Sequence, residues 1–159
     1  RPAALVLSRQ NLPTFDRTKY KPASGVAQGA YVLADAPNGR PDVILMGTGS
    51  EVQWCVSAYE QLKSEGINAR VVSMPSWDLF EAQTAEYRNQ VLPETVKARV
   101  SVEQAATLGW ERYVGAYGVS IGMTGFGASA PLKDLLKKFG FTTEHVVSAA
   151  RESIARAKK

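Results

Sequence analysis

An arginine that follows a run of apolar residues is the first side chain in this sequence with a chemical role to consider. Residues 4–7 have the pattern of a buried strand, and Arg9 comes two residues later in the stretch LVLSRQNLP. A guanidinium group in a loop at the carboxyl end of a strand can make two parallel hydrogen bonds to a phosphate or a carboxylate. Arg9 is therefore a candidate ligand for an anionic group. On chemistry alone, an arginine in such a loop more often forms an ordinary surface ion pair.

A glycine-rich turn with the sequence GTGS runs from Gly47 to Ser50, between an apolar run and a helical pattern. Many α/β proteins bind phosphate at the amino terminus of a helix that follows a strand. The dinucleotide fingerprint needs a third glycine, where this chain has Val52, and the lysine of a phosphate-binding loop is missing as well. These differences favour a tight turn that needs small residues for close packing. An independent anion- or nucleotide-binding module that uses the Gly47–Ser50 turn is the alternative function.

Three further reactive side chains have structural interpretations. Glu103 ends a predicted strand at the edge where open α/β sheets bind ligands, but a single carboxylate more often bonds to backbone amides or lies at a domain contact. Cys55 is the only cysteine, and its place on an apolar helical stripe indicates a small buried side chain. His145 is the only histidine, which excludes a histidine metal cluster. We expect it in the solvated first turn of a helix capped by Thr142.

The composition limits the class of protein. The chain has 159 residues, of which 45% are hydrophobic and 21% charged, so that a single domain can bury roughly two thirds of its unfolded surface. Its formal net charge is +4, but the basic residues are spread along the chain, whereas nucleic-acid-binding proteins concentrate them on one face. The sequence has neither an apolar run long enough to span a membrane nor a secretory leader. We expect a soluble cytoplasmic protein without nucleic-acid or membrane partners.

A strand–helix–strand unit has to position these residues. Residues 43–46 form a continuous apolar run, which is typical of a strand covered on both faces in a parallel sheet. From Ser50 onward the apolar residues recur at helical spacing, and Ser50 with Gln53 has the form of a capping box. A second apolar run at residues 70–74 completes the unit, with a right-handed crossover. This unit is the predicted centre of the fold.

The remaining patterns alternate between strands and helices. A strand at residues 29–36 is predicted to pair antiparallel with residues 43–46 as an edge hairpin, because Pro37, Asn38 and Gly39 are turn residues. Helices are predicted at residues 76–80, 84–91, 108–114, 130–139 and 143–157, and further strands at 97–103 and 119–121. Ser129 is the expected cap of the fourth of these helices, and Gly140 its end. Together they predict an α/β fold, an open three-layer sandwich with about five mostly parallel strands and one antiparallel edge strand.

Three aromatic residues in this part of the chain, Trp110, Tyr113 and Tyr117, could stack on a ligand. Aromatic side chains are also enriched in protein interfaces. We therefore favour a core or interface position for them.

The amino-terminal strand pattern lacks a nearby partner. The next strand begins only after Tyr31, and the intervening stretch is too long for an ordinary connection in a compact domain. We interpret residues 4–7 as part of the sheet of a preceding domain, joined by an interdomain linker. A frayed amino-terminal arm on a complete protein is the alternative.

Six stretches, read in order, resemble one enzyme family. They are ALVLSRQNLP, GTGSEV, RVVSMPSWDLF, YRNQVLP, LGWERYVG and FGASAPLKDLLKKFGFT. Their joint occurrence in this order resembles the C-terminal part of a transketolase, and the resemblance extends over essentially the whole chain. The resemblance implies that residues 1–13 end the pyrimidine-binding domain, residues 14–28 form a linker, and residues 29–159 are the C-terminal α/β domain.

The resemblance also implies a function. Transketolases are homodimers that use thiamine diphosphate and a divalent metal (Mg or Ca), both bound by the first two domains, to transfer two-carbon ketol units between sugar phosphates in the pentose phosphate pathway. The arginine of the SRQ motif contacts the substrate phosphate, and Arg9 occupies that position. No catalytic, cofactor-binding or metal-binding residue can be transferred, and Glu103 and residues 108–115 have no assigned role. The chain would add packing, dimer contacts and one phosphate ligand to the rest of the enzyme, and by itself it is expected to be inactive.

Overall fold

A five-stranded sheet is the framework of the structure, a computed structural model that describes residues 4–159. The strands are β1 (Tyr31–Ala34), β2 (Val43–Gly47), β3 (Ala69–Ser73), β4 (Arg99–Ala106) and β5 (Val119–Met123). They lie in the order β1-β3-β2-β4-β5. All neighbours are parallel except β1 and β3, which are antiparallel. The predicted α/β sheet with one antiparallel edge strand is confirmed.

Helices cover both faces of this sheet. They are α1 (Val52–Ser64), α2 (Trp77–Glu81), α3 (Ala85–Val91), α4 (Glu111–Val114), α5 (Leu132–Phe139) and α6 (Thr143–Ala157). One buried cluster joins α1 and α6 to the sheet, and a second joins α2, α3 and α4 to its opposite face. The predicted three layers are therefore present. Within residues 4–159, no helix combines the length and apolar character needed to cross a membrane.

The central strand β2 explains the continuous apolar run in the sequence. Val43 and Leu45 belong to the cluster with α1 and α6, whereas Ile44 and Met46 belong to the cluster on the other face. All four side chains are completely buried. A strand that is covered on both faces needs apolar residues at successive positions, because neighbouring side chains point to opposite faces.

The predicted hairpin between β1 and β2 is wrong, because β1 pairs with β3. Its register places Tyr31 opposite Ser73 and Val32 opposite Val72. Parallel β3 and β4 already occupy both sides of β2, so no edge of β2 is left for β1. The turn residues after β1 do reverse the chain, with the amide of Gly39 bonding to the carbonyl of Ala36 at 2.9 Å. They carry no information about which strand comes next to β1.

The amino-terminal residues do not form the predicted strand in this structure. Residues 4–8 have no regular secondary structure, and Leu5, Val6 and Leu7 are exposed by 83%, 92% and 77%. A strand requires a neighbour for its backbone hydrogen bonds, and residues 4–7 pair with neither edge of this sheet. The predicted end of a preceding domain, residues 1–13, lies partly outside the described residues.

The predicted linker is attached to the domain surface. Phe15 and Tyr20 pack against the cluster with α1 and α6, and the Tyr20 hydroxyl donates to Glu60 Oε1 at 2.7 Å. The amide of Lys21 donates to the carbonyl of Leu33 on β1 at 3.0 Å. A short 3-10 helix, Ala23–Gln28, then leads into β1.

Most helix ends follow the predicted signals. Ser76 and Thr84 cap α2 and α3 with their hydroxyls, and Thr142 Oγ1 accepts from the amide of His145 at the start of α6. Gly140 ends α5 in the left-handed conformation, with φ of 78°. Ser129 does not cap α5, because the helix starts after Pro131 without a side-chain cap.

Candidate functional site

The carboxyl ends of the parallel strands meet at one edge of the sheet, where open α/β proteins bind ligands. A shallow pocket of about 380 Å³ lies there, next to the turn after β2, the segment after β3 and the later part of β4. Its lining residues are Thr48, Met74, Pro75, Ser76, Trp77, Asp78 and Glu103. Among them, Asp78 and Glu103 are the charged residues, and both are acidic.

The glycine-rich turn packs tightly against the start of α1. A Cβ atom on Gly47 would lie 2.9 Å from Val52 Cα and 3.0 Å from Cys55 Sγ, so only glycine fits without a shift of the helix. Gly49 has a positive φ of 56°, and Thr48 Oγ1 donates to the carbonyl of Met74 on the neighbouring segment at 2.9 Å. This geometry is that of a close-packed turn, which the sequence favoured over a nucleotide site.

The predicted capping box at Ser50 is wrong. A 3-10 turn, Gly49–Glu51, precedes α1. Helix α1 therefore begins only at Val52, and no side chain caps its amino terminus. Ser50 Oγ donates to the carboxylate of Glu51 instead of accepting from a backbone amide. The side chain of Gln53 does reach back, since its Nε2 donates to the carbonyl of Ser50 at 2.9 Å.

Glu51 is a buried carboxylate that the sequence analysis did not single out. Only 5% of the residue is exposed, and Oε1 accepts from Ser50 Oγ and from Gln104 Nε2, the latter at 2.7 Å. Burial raises the pKa of Glu51, the bonds from Ser50 and Gln104 oppose this shift, and the charge of Glu103 adds to it. The only feature of the sequence that pointed to Glu51 was its place directly after the glycine-rich turn. Acidic residues are also common in the first turn of ordinary helices, so this feature did not distinguish it.

The position of Glu51 also disfavours the alternative function. An anion or nucleotide phosphate at the Gly47–Ser50 turn would have to approach a carboxylate at the same helix start. In its charged form this carboxylate would repel a bound anion, and in its protonated form it would add no attraction for one. The turn therefore lacks the electrostatics of an anion site.

Glu103 and Trp110 are joined by a hydrogen bond. Trp110 Nε1 donates to Glu103 Oε2 at 2.7 Å, and Trp110 is 1% exposed. The Trp110 ring packs edge-on against Trp77, with ring centroids 5.2 Å apart, and also contacts Tyr113 at 5.9 Å. Glu103 thus holds a core indole rather than a backbone amide. Tyr113 shares this core, whereas Tyr117 is 42% exposed and stands apart from it.

Cys55 and His145 lie where the sequence placed them. Cys55 is completely buried, and burial raises the pKa of its thiol. His145 is exposed in the first turn of α6, and its Nδ1 lies 2.8 Å from the carbonyl of Gly140. Within residues 4–159, no three His, Cys, Asp or Glu side chains are grouped so that they could hold a metal ion.

Arg9 lies in the exposed amino-terminal arm, residues 4–12. The ion pairs formed within residues 4–159 involve Arg70, Arg88, Arg112, Arg151 and Arg156 but not Arg9. The structure therefore does not bring Arg9 together with the residues of the carboxyl edge.

A family model described as the transketolase-like TK C-terminal domain matches residues 29–142. The chain belongs to the transketolase family. The transketolase of Halalkalibacterium halodurans is 53% identical over 150 residues, which are 94% of this chain and 22% of that protein.

Solved transketolases share the fold. The enzyme from Leishmania mexicana superposes with a TM-score of 0.77 at 45% identity, over 84% of this chain and 19% of its own. The Pichia stipitis enzyme, solved in complex with sedoheptulose 7-phosphate, gives 0.83 at 36% identity, over 94% of this chain and 21% of its own. The chain spans about a fifth of the length of the relatives that it matches. The resemblance to the C-terminal domain of transketolase is confirmed.

Proposed function

We propose that this chain is the C-terminal domain of a thiamine-diphosphate-dependent transketolase, which transfers a two-carbon ketol unit between sugar phosphates. The observation that carries the proposal is the match of residues 29–142 to the C-terminal domain model. The 53% identity across 94% of the chain to one transketolase supports it. In this proposal the domain contributes packing and Arg9, and the bond-breaking chemistry takes place in the preceding domains.

Thiamine diphosphate does not fit the carboxyl edge of this domain, and within residues 4–159 no three His, Cys, Asp or Glu side chains are grouped to hold its divalent metal. A diphosphate would meet the carboxylates of Glu51 and Glu103 there, and the indole of Trp110 already occupies one oxygen of Glu103. We therefore assign both groups to the preceding domains of the enzyme. The proposal includes a homodimer and a cytoplasmic place in the pentose phosphate pathway, as in the family that the sequence resembles.

The proposed role of Arg9 depends on the amino-terminal arm. Leu5, Val6 and Leu7 are exposed here by 77% to 92%, and burial of each such side chain is worth about 1.5 to 3 kcal/mol. In the proposal, residues 4–7 form a strand in the sheet of the preceding domain and residues 14–28 connect the two domains. Arg9 then follows the carboxyl end of that strand, where its guanidinium can bind the phosphate of the substrate with two hydrogen bonds.

Kinetics of an Arg9→Ala variant of the full-length enzyme test this role. A charge-assisted hydrogen bond is worth about 1.5 to 3 kcal/mol, so kcat/KM with xylulose 5-phosphate and ribose 5-phosphate should fall roughly ten- to a hundredfold. Most of the loss should appear in KM, because the phosphate lies far from the bond that is broken and contributes uniform binding.

Two controls separate phosphate binding from a structural role. Hydroxypyruvate with glycolaldehyde lacks phosphate, and its turnover should hardly change in Arg9→Ala. Arg17→Ala removes another exposed arginine from the same amino-terminal region, one that donates to the carbonyl of Lys21 at 3.0 Å, and it should leave both reactions unchanged. An equal loss with phosphorylated and unphosphorylated substrates would rule out the phosphate role of Arg9.

A further inference from the structure

The carboxyl edge of the sheet exposes two large apolar side chains on neighbouring loops. Phe126, after β5, is 101% exposed, and Leu108, after β4, is 83% exposed. We call these two residues the carboxyl-edge patch. Outside the amino-terminal arm, the other exposed large apolar side chains of residues 4–159 are exposed by only 41% to 47%. The patch therefore differs from the scattered apolar residues that are normal on protein surfaces.

The two residues of the patch follow the same pair of neighbouring strands. Strands β4 and β5 are paired up to Ala106 and Met123, and Leu108 and Phe126 follow this pair by two and three residues. At about 3.3 Å per residue, both lie within about 10 Å of the same paired position. The loop after β4 also packs directly on β5, since a Cβ atom on Gly122 of that strand would lie 2.7 Å from Thr107 Cγ2.

The segment around Phe126 has the composition of an interface. Residues 119–132 contain no Asp, Glu, Lys or Arg, in a chain of which 21% is charged. The centre of a protein interface is depleted in charged residues and enriched in aromatic ones. A loop of this composition with a fully exposed phenylalanine is therefore suited to bury that side chain against another protein surface.

We propose that the carboxyl-edge patch is the surface on which the preceding region of the same polypeptide docks in the full-length enzyme. This inference rests on the proposed function, because the relatives are about five times as long as this chain, which covers 22% of the first of them. A covalently joined region has a high effective concentration at this surface. Interfaces between domains of one chain typically bury about 600 to 1,500 Å². The exposed side chains of Phe126 and Leu108 would form the apolar part of such an interface.

Site-specific cross-linking in the full-length enzyme tests the proposal. A photoreactive benzophenone amino acid replaces Phe126 in one variant and Tyr117 in a control. Tyr117 is exposed by 42% and lies before β5, at the opposite edge of the sheet. After irradiation, the Phe126 variant should give a product at the mass of one subunit, and peptide mapping should join position 126 to the region that precedes residue 1. The Tyr117 variant should not give this product.

Two results would overturn the proposal. A cross-linked product at twice the subunit mass would show that a second copy covers the patch. A yield no higher than that of the Tyr117 variant would show that the patch faces solvent. Neither outcome depends on turnover, so that a failure of the docking proposal can be distinguished from a failure of the proposed function.

A second variant covers the case in which the benzophenone group disturbs the loop. Leu108→Asp with Phe126→Asp in the full-length enzyme should raise amide hydrogen exchange at least tenfold at the docking surface of the preceding region. Tyr117→Asp is the matched control and should leave that exchange unchanged. Unchanged exchange in the double variant would contradict the proposal.

Discussion

Glu51 places a carboxylate at the helix start where an anion-binding protein would hold its ligand. The side chain is buried, and its hydrogen bonds come from Ser50 and Gln104. Burial raises the pKa of Glu51 from its ordinary value. Protonation of Glu51 therefore stabilises the folded state. This stabilisation is complete at a pH below the pKa that Glu51 has in the unfolded chain, and it is lost as the pH rises through the higher pKa that Glu51 has in the folded chain.

We predict that Glu51→Gln removes this pH dependence. The amide of glutamine can still accept the bonds from Ser50 and Gln104 but carries no charge to bury. The variant should unfold at higher urea concentration than the parent chain near neutral pH, and the difference should shrink as the pH falls below the carboxyl range. Urea titrations between pH 4 and 8 measure it, with Glu152→Gln on an exposed turn of α6 as the control. A parent chain that gains stability as the pH rises, relative to Glu51→Gln, would show that the carboxylate is held in its charged form.

Single residues could be predicted from the sequence where one strong local pattern determined them. Cys55 and His145 fell on a helical stripe and in a capped first turn, and the structure has them there. Glu51 could not be predicted, because its burial depends on Gln104 from a distant strand. The Ser50 cap was wrong for a related reason, since a 3-10 turn shifted the start of α1 beyond it.

At the scale of elements, one ion pair holds the edge strand to the sheet. Arg70 on β3 donates to both carboxylate oxygens of Asp35, just after β1, at 2.8 Å. Its side chain is 7% exposed, and it also donates to the carbonyls of Gln90 and Val91. This single guanidinium thus connects β1 and α3 to the centre of the fold.

We predict that Asp35→Asn destabilises the domain by about 1 to 3 kcal/mol. Breaking a buried pair leaves a charge without its partner and costs more than that, but Asp35 is 35% exposed and solvent screens part of the interaction. Glu65→Gln is the matched control, because it breaks the surface pair with Arg151, whose side chain is 55% exposed. Its cost should be clearly smaller, because solvent screens an exposed ion pair. Equal costs in urea unfolding would show that the Arg70 pair does not hold the edge strand.

The kinds of element were predictable from the sequence, but the pairing of β1 was not. Apolar runs and helical spacing identified the strands and helices because each pattern is local. The position of β1 beside β3 depends on Arg70 and Asp35, which are separated by 35 residues, and on the occupation of both sides of β2. Turn residues record only that the chain reverses.

At the scale of the whole molecule, the domain and its arm have different surroundings. The domain has two buried clusters of its own, whereas the arm exposes Leu5, Val6 and Leu7. The sequence predicted this difference because the strand pattern at residues 4–7 had no partner within reach. It could not show the carboxyl-edge patch, since the exposure of Leu108 and Phe126 depends on where the loops end in the folded sheet.

Ketol transfer by the full-length enzyme and by the purified 159-residue chain is the most direct test of the proposed function. Both are measured with xylulose 5-phosphate, ribose 5-phosphate, thiamine diphosphate and Mg²⁺, after host transketolase has been excluded from the preparations. In the proposed function the cofactor performs the difficult chemistry and is bound by the preceding domains. We therefore predict turnover by the full-length enzyme and none by the isolated chain. Turnover by the isolated chain, or its absence in the full-length enzyme with cofactor bound, would contradict this.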